Sequence, residues 1–256
     1  MSFDREHAVT RAFVALARSL ADGVDPVDLL IRLAEDATGL LDVASTGILL
    51  ADPRGMLHVV AASTEATRAL EIYQLQREQG PCLDCYHSGA PVSVADLAAE
   101  TARWPLFVEA ATNAGFASVH ALSIRLRDNI LGTMGLFGTH IGALNDDDLS
   151  LGQALADVAA VAIVQDKAAA DSALVNEQLQ TALTSRVQVE QAKGVLAQRG
   201  NLTMDRSFAV LRRYARDHNL RLSDVARAVA GRELPAERLL DHSRAREAQR
   251  PRLAEP

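Results

Sequence analysis

Apolar and polar positions recur along this chain with two different periods, and the change of period divides it. Residues 4–21 place Val9, Phe13, Leu16 and Leu20 on one helical stripe, which Asp22-Gly23 breaks. Asp25 then stands as an N-cap with Pro26 at the first helical position, and Leu29, Leu30, Leu33 and Ala37 give the second helix its apolar face. Ser45 to Ala51 is a short apolar strand. Asp52-Pro53-Arg54-Gly55 is a turn, and Met56 to Ala62 alternates and completes a hairpin. Thr64 to Gln79 reads as a helix, Gly80 to Pro91 as a loop and Val92 to Val94 as a short strand. After a helix over Arg103 to Ala114, the strands Ser118–Leu126 and Ile130–Phe137 join across Arg127-Asp128-Asn129. This order predicts an α+β domain over residues 1–165, with a central antiparallel sheet flanked by helices.

Beyond Asp146 the period is helical throughout. No Pro occurs from there to Arg199, and Gly occurs only at 152 and 194. Leu151, Leu155, Val158, Val161 and Ala162, then Val175, Leu179 and Leu183, form an apolar stripe. Its heptad seam includes Gln165 and Ser172, so it is imperfect. One long linker helix, or two stacked ones, is expected over 146–180, with a marginal coiled-coil dimer contact. Three helices follow within 177–234, separated at Gly200-Asn201 and at Asn219-Leu220-Arg221. In the first, Val189, Ala192, Val195 and Leu196 share one side, while Arg186, Glu190 and Lys193 share a neighbouring sector roughly 60° wide. Gly194 inside that helix suggests a close neighbour, another backbone or a ligand. The second has Thr203 as N-cap and Phe208, Val210, Leu211, Tyr214 and Ala215 on its apolar face, with Arg212, Arg213 and Arg216 opposite. The third buries Leu222, Val225, Ala226 and Val229. Residues 235–256 read as a frayed helix and then disorder.

Charge sharpens this division. Residues 178–232 hold ten Lys/Arg against four acids, a balance of +6, and residues 1–177 hold eleven against twenty-four, a balance of −13. A small basic helical unit joined to an acidic one suits a polyanion at one end only. No apolar run reaches the roughly 18 residues needed to span a bilayer. The N-terminus carries acids and lacks a leader pattern, so a cytoplasmic location is expected. No Gly-rich phosphate loop or metal-binding carboxylate series points to an enzyme, and no cofactor is implied.

Cys82-x-x-Cys85-x-His87 sets two thiols and an imidazole close together. A structural zinc site needs four ligands and no second pair supplies the rest, although His120 or His58 could come from elsewhere in the fold. A disulfide redox couple is a second reading, and two packed cytosolic thiols a third. His120 shares a strand face with Leu122, Ile124 and Leu126, and Trp104 suits packing over the sheet or a pocket lid.

The segments ALTSR, VEQAKGVL, SFAVLRRYA and LSDVA resemble the ANTAR domain, the RNA-binding antitermination module of bacterial regulators. The positions that match its pattern are Ala182, Arg186, Glu190, Ala192, Lys193, Gly194, Phe208, Leu211, Arg212, Ala215, Leu222, Val225 and Ala226. The resemblance implies a dimer that binds stem-loops in leader transcripts and so prevents a terminator from forming. Arg186, Lys193 and Arg212 are its expected RNA contacts, beside Gly194 and supported by Arg213 and Arg216. On that expectation, Arg212→Ala with Lys193→Ala folds normally and loses hairpin binding. GPCLDCYHSGAPVSVADL, RWPLFVEAATNAGFASVHALSIRL and ILGTMGLFG are similar to GAF domains of actinobacterial GAF–ANTAR regulators, which implies a sensory fold and an unidentified small-molecule ligand. Two alternatives stay open: a DNA-binding transcription regulator with the same sensor, and a redox or metal sensor acting through Cys82 and Cys85. The third C-terminal helix, SDVARAVAG, offers only Arg227 and Asp224 as base readers, which is poor for the major groove.

Overall fold

The computed structural model describes residues 3–21, 25–164 and 172–248. It divides into two compact units at Leu183/Thr184.

The first unit is built on a five-stranded antiparallel sheet of order β2-β1-β5-β4-β3. Its elements are α1 (Phe3–Ala21), α2 (Pro26–Leu40), β1 (Ser45–Ala51), β2 (Leu57–Ala62), α3 (Glu65–Arg77), α4 (Pro81–Ser88), β3 (Val92–Val94), α5 (Pro105–Asn113), β4 (Ser118–Leu126), β5 (Asn129–Gly138) and α6 (Asp146–Val164). A 3₁₀ turn spans Leu97–Glu100. The capping residue of α2 is Asp25, whose carboxylate accepts from the Val27 amide at 2.9 Å. The β1–β2 turn closes as Asp52 accepts from the amides of Arg54 and Met56, with Gly55 at φ +80°. Every residue of β1 is buried, as a strand between β2 and β5 and under helices must be.

Alternation of side chains across the strands makes three layers. Gly152 of α6 lies against Leu122 and Leu136 on one face. Gly47, Leu49, Ala121 and Gly135 face the other way, toward α3 and α4. An Arg5–Asp148 ion pair ties α1 to the start of α6. Strand pairing leaves no room at Gly132, where a Cβ would collide with the backbone carbonyl of Leu49. Gly132→Ala is therefore expected to lower the stability of this unit by about 1–3 kcal/mol, measurable as an earlier thermal transition; an unchanged transition would show that the β1–β5 pairing is looser than drawn.

The strands and four helices lie where the pattern places them, within a few residues. Gly80 to Pro91 differs. Most of it is α4, because Pro81 at the first position and Gly89 at φ +71° start and stop a helix over the segment between them.

The second unit contains α8 (Met204–Asp217), α9 (Leu222–Ala230) and α10 (Ala236–Ala248), preceded by α7 (Ser172–Gly200), within which the division falls. Thr203 caps α8, its hydroxyl accepting from the Arg206 amide. Val210, Leu211, Tyr214 and Ala215 of α8 are buried, as are Leu222, Val225, Ala226 and Val229 of α9. Residues 236–248 are helical and packed rather than frayed. Ala236, Leu239 and Leu240 are buried, and α10 lies against α8. The junction between α6 and α7, where the coiled-coil seam was expected to cross Gln165, lies outside the described residues.

Candidate functional site

The basic sector of α7 is buried. Arg186 is 7% exposed and Lys193 2%. Both are paired to one carboxylate, Glu190, at 2.6 Å from Arg186 Nη2 and 3.2 Å from Lys193 Nζ. The Lys193 ammonium also lies 5.8 Å from the centre of the Phe208 ring. The two side chains expected to touch RNA, Arg186 and Lys193, are thus placed with the apolar stripe their sector borders, and Glu190 at i+4 and i−3 compensates their charge. Gly194 is exposed, and a Cβ there would meet nothing within 4 Å, so its open side has no close neighbour among the described residues.

Accessible positive charge lies on α8 and the turns around it, and also on α9 and α10. Arg216 is exposed, with 70% of its side chain accessible, and Arg212 and Arg213 are half-buried. Arg199, Arg206, Arg221 and Arg232 are exposed too, and the sequence reading counted them without giving them a role.

At the C-terminal end of α8 lies a cluster the sequence did not suggest. His218 stacks on Tyr214 with ring centres 4.0 Å apart and planes 21° from parallel. His242 of α10 meets Tyr214 edge-on at 5.5 Å and lies 5.0 Å from His218. Asp217 joins the two helices: its Oδ2 accepts from His242 Nε2 at 2.9 Å and pairs with Arg246 Nε at 3.3 Å. The hydrogen bond from His242, with Arg246 and Arg216 nearby, holds the Asp217 carboxyl below its usual range. The only sequence signal was an Asp and a His 25 residues apart, a separation that carries no periodicity.

In the first unit, the sensor candidates do not converge. Cys82 and Cys85 occupy the buried side of α4, while His87 is exposed. Trp104 is packed edge-on against Phe107 at 6.3 Å, in a cluster with Val94, Val119 and Phe137. His120 faces the opposite side of the sheet from the thiols. There its Nδ1 bonds the Ser93 hydroxyl, and burial pushes its pKa down. His58 is on the surface, 3.2 Å from Asp52. Burial pushes the Cys85 thiol up to about 12 and the Cys82 thiol well above its ordinary value. A thiolate is the reactive form, so both cysteines are poor nucleophiles in this state.

What surrounds Cys82 is polar. The buried side of α3 is Thr67, Leu70, Glu71 and Gln74, three of them hydrophilic. Glu71 is fully buried above Gly47 and Gly135, which face each other across β1 and β5. A Cβ at Gly135 would come within 2.8 Å of Glu71 Oε1 and 2.9 Å of Cys82 Sγ, so the two glycines make the space the carboxyl fills. Gln74 Nε2 donates to Glu71 Oε2, and Cys82 Sγ donates to Oε1 at 3.7 Å. Desolvation outweighs both bonds and raises the Glu71 carboxyl to about 8.

A GAF domain model matches residues 23–164, over half the chain, and an ANTAR domain model matches 177–229. No curated protein matches the chain. Among solved structures, the GAF domain from an Acinetobacter phosphoenolpyruvate-protein phosphotransferase is 14% identical, covers 67% of this chain and 99% of its own, and has a TM-score of 0.51. The GAF domain region of a putative membrane protein from Geobacter sulfurreducens is 22% identical over 54% of this chain and 93% of its own, with a TM-score of 0.46. The first of these likenesses supports the fold alone. No helix among the described residues is long and apolar enough to cross a membrane. The chain belongs to the GAF family and couples a GAF sensory domain to an ANTAR domain, the combination of an RNA-binding antitermination regulator rather than of an enzyme.

Proposed function

We propose that residues 177–234 bind stem-loops in leader transcripts and keep a terminator hairpin from forming, under the control of the GAF domain. The observation that carries this reading is the charge division: a basic unit with exposed arginines on α8 and its flanking turns, joined to a strongly acidic one. Arginine pairs with phosphate and stacks on unpaired bases, so hairpin loops suit it better than a continuous duplex. The contacts proposed are Arg212, Arg213 and Arg216 of α8, with Arg206 and Arg221 at its ends. The chain acts as a homodimer whose linker region, 146–180, sets the spacing of two such faces, and a small molecule bound by the GAF domain changes that pairing.

The test is an electrophoretic shift of the full chain with paired-hairpin RNA and with duplex DNA of the same length, over a range of salt. Retarded RNA and unretarded DNA are expected. Arg212→Ala with Arg216→Ala should weaken binding about tenfold and flatten the dependence of log K on log salt by about 1–2. Equal affinity for duplex DNA would favour the DNA-binding alternative and overturn this one.

A further inference from the structure

The turn from α8 to α9 brings together side chains of three chemistries on one accessible strip. His218, Asn219, Leu220 and Arg221 are all exposed, Leu220 to 51%. The backbone beneath them is fixed. Asn219 takes φ +52°, its amide donates to the Arg216 carbonyl at 3.2 Å, and the Leu220 amide donates to the Ala215 carbonyl at 2.9 Å.

The His218 ring is fixed as well. Its Nδ1 donates to the Tyr214 carbonyl at 2.9 Å, which leaves Nε2 as the remaining polar atom of the ring. Tyr214, only 4% exposed, lies flat against it, and His242 of α10 braces both rings. His242 is in turn anchored by Asp217, which also holds Arg246. A helix outside the ANTAR match thus supports an imidazole on the ANTAR surface.

Resting on the RNA-binding reading above, we propose that His218 is a stacking platform for one unpaired base of the bound RNA, with the Asn219 amide beside that base's edge and Arg216 and Arg221 on its flanking phosphates. Pre-stacking on Tyr214 removes most of the entropy the imidazole would otherwise lose on binding. Base stacking on aromatic rings is tolerant of sequence, so the selectivity of the site comes from Asn219, whose side-chain amide offers both donor and acceptor. Position α10 matters because truncating it would free His242 and let the platform turn.

The experiment uses the full chain and a hairpin RNA enriched by it from a pool with a randomised loop. Binding is measured by fluorescence anisotropy for wild type, His218→Ala and His218→Phe, on the hairpin and on versions with one loop base at a time made abasic. His218→Ala should weaken binding roughly tenfold, His218→Phe should stay within about threefold, and the loss should vanish on one abasic hairpin only. Circular dichroism of both variants checks that the helices are retained. Equal affinity of His218→Ala and wild type, or the same loss on every abasic hairpin, overturns the platform while leaving RNA binding intact. Failure to enrich any hairpin overturns the RNA-binding reading and the platform with it.

Discussion

Glu190→Ala is expected to destabilise the C-terminal unit by about 3–5 kcal/mol, because it removes the carboxylate that two buried cations share. Arg186 and Lys193 lie one turn to either side of Glu190 on α7, with side chains 9% and 3% exposed. Val189, Ala192 and Leu196 of the same helix are fully buried as well. The loss should barely respond to salt, since screening acts weakly on buried charge. A second substitution, Lys193→Met, should restore part of the stability by removing one of the two buried charges, whereas two independent surface losses would simply add. Urea unfolding of the full chain, followed on helix signal, measures both. A loss under 1 kcal/mol for Glu190→Ala would mean that the three side chains are solvated in solution and would reopen α7 as a binding face. The same geometry bears on Arg212→Ala with Lys193→Ala. Removing Lys193 alters a buried cluster, so only the variants on α8 report on RNA contact.

Period and charge place Arg186, Glu190 and Lys193 in one sector, but a sector beside an apolar stripe is solvent-facing or buried depending on what packs there, and that is long-range information. A local clue existed: a single acid at i+4 from one cation and i−3 from the other is arranged for neutralisation. The sheet was legible because β2 alternates and β4 and β5 are apolar runs joined by a short turn, and Asp25 and Thr203 announced their helices through capping chemistry. By contrast, α3 shows little amphipathic pattern because its buried side is hydrophilic. Its placement depends on Gly47 and Gly135 meeting across two strands, which no short window contains. Likewise α10 looks like an alternation of charges until Leu239 and Leu240 find the end of α7 near Gly200. Where a residue's role is set by a partner distant in sequence, composition and period stop short of it.

The buried carboxyl under α3 makes the stability of the GAF domain depend on pH in a direction opposite to the usual acidic residue. Glu71 titrates at about 8 when folded, against an ordinary value of 4.5. Between those values the folded chain holds a proton that the unfolded chain has released, so unfolding becomes easier as pH rises. The contribution of Glu71 is fully present below 4.5, falls by up to about 1.4 kcal/mol per pH unit, and is spent near pH 8. Glu71→Gln keeps the shape and has no proton to lose. The amide of Gln74 already lies against this site, and its Oε1 is buried with no donor; turned over, it would accept the proton of a neutral Glu71 or an N–H of the new glutamine. The two proteins should therefore be similarly stable at pH 5, and the variant should be the more stable by about 3–5 kcal/mol at pH 8. Denaturant unfolding of the first transition at both pH values decides it. Parallel pH profiles for wild type and Glu71→Gln would show that Glu71 is already ionised in the folded chain. The glycine floor would then be holding a charge, and a cation or a donor-rich ligand would have to stand beside it.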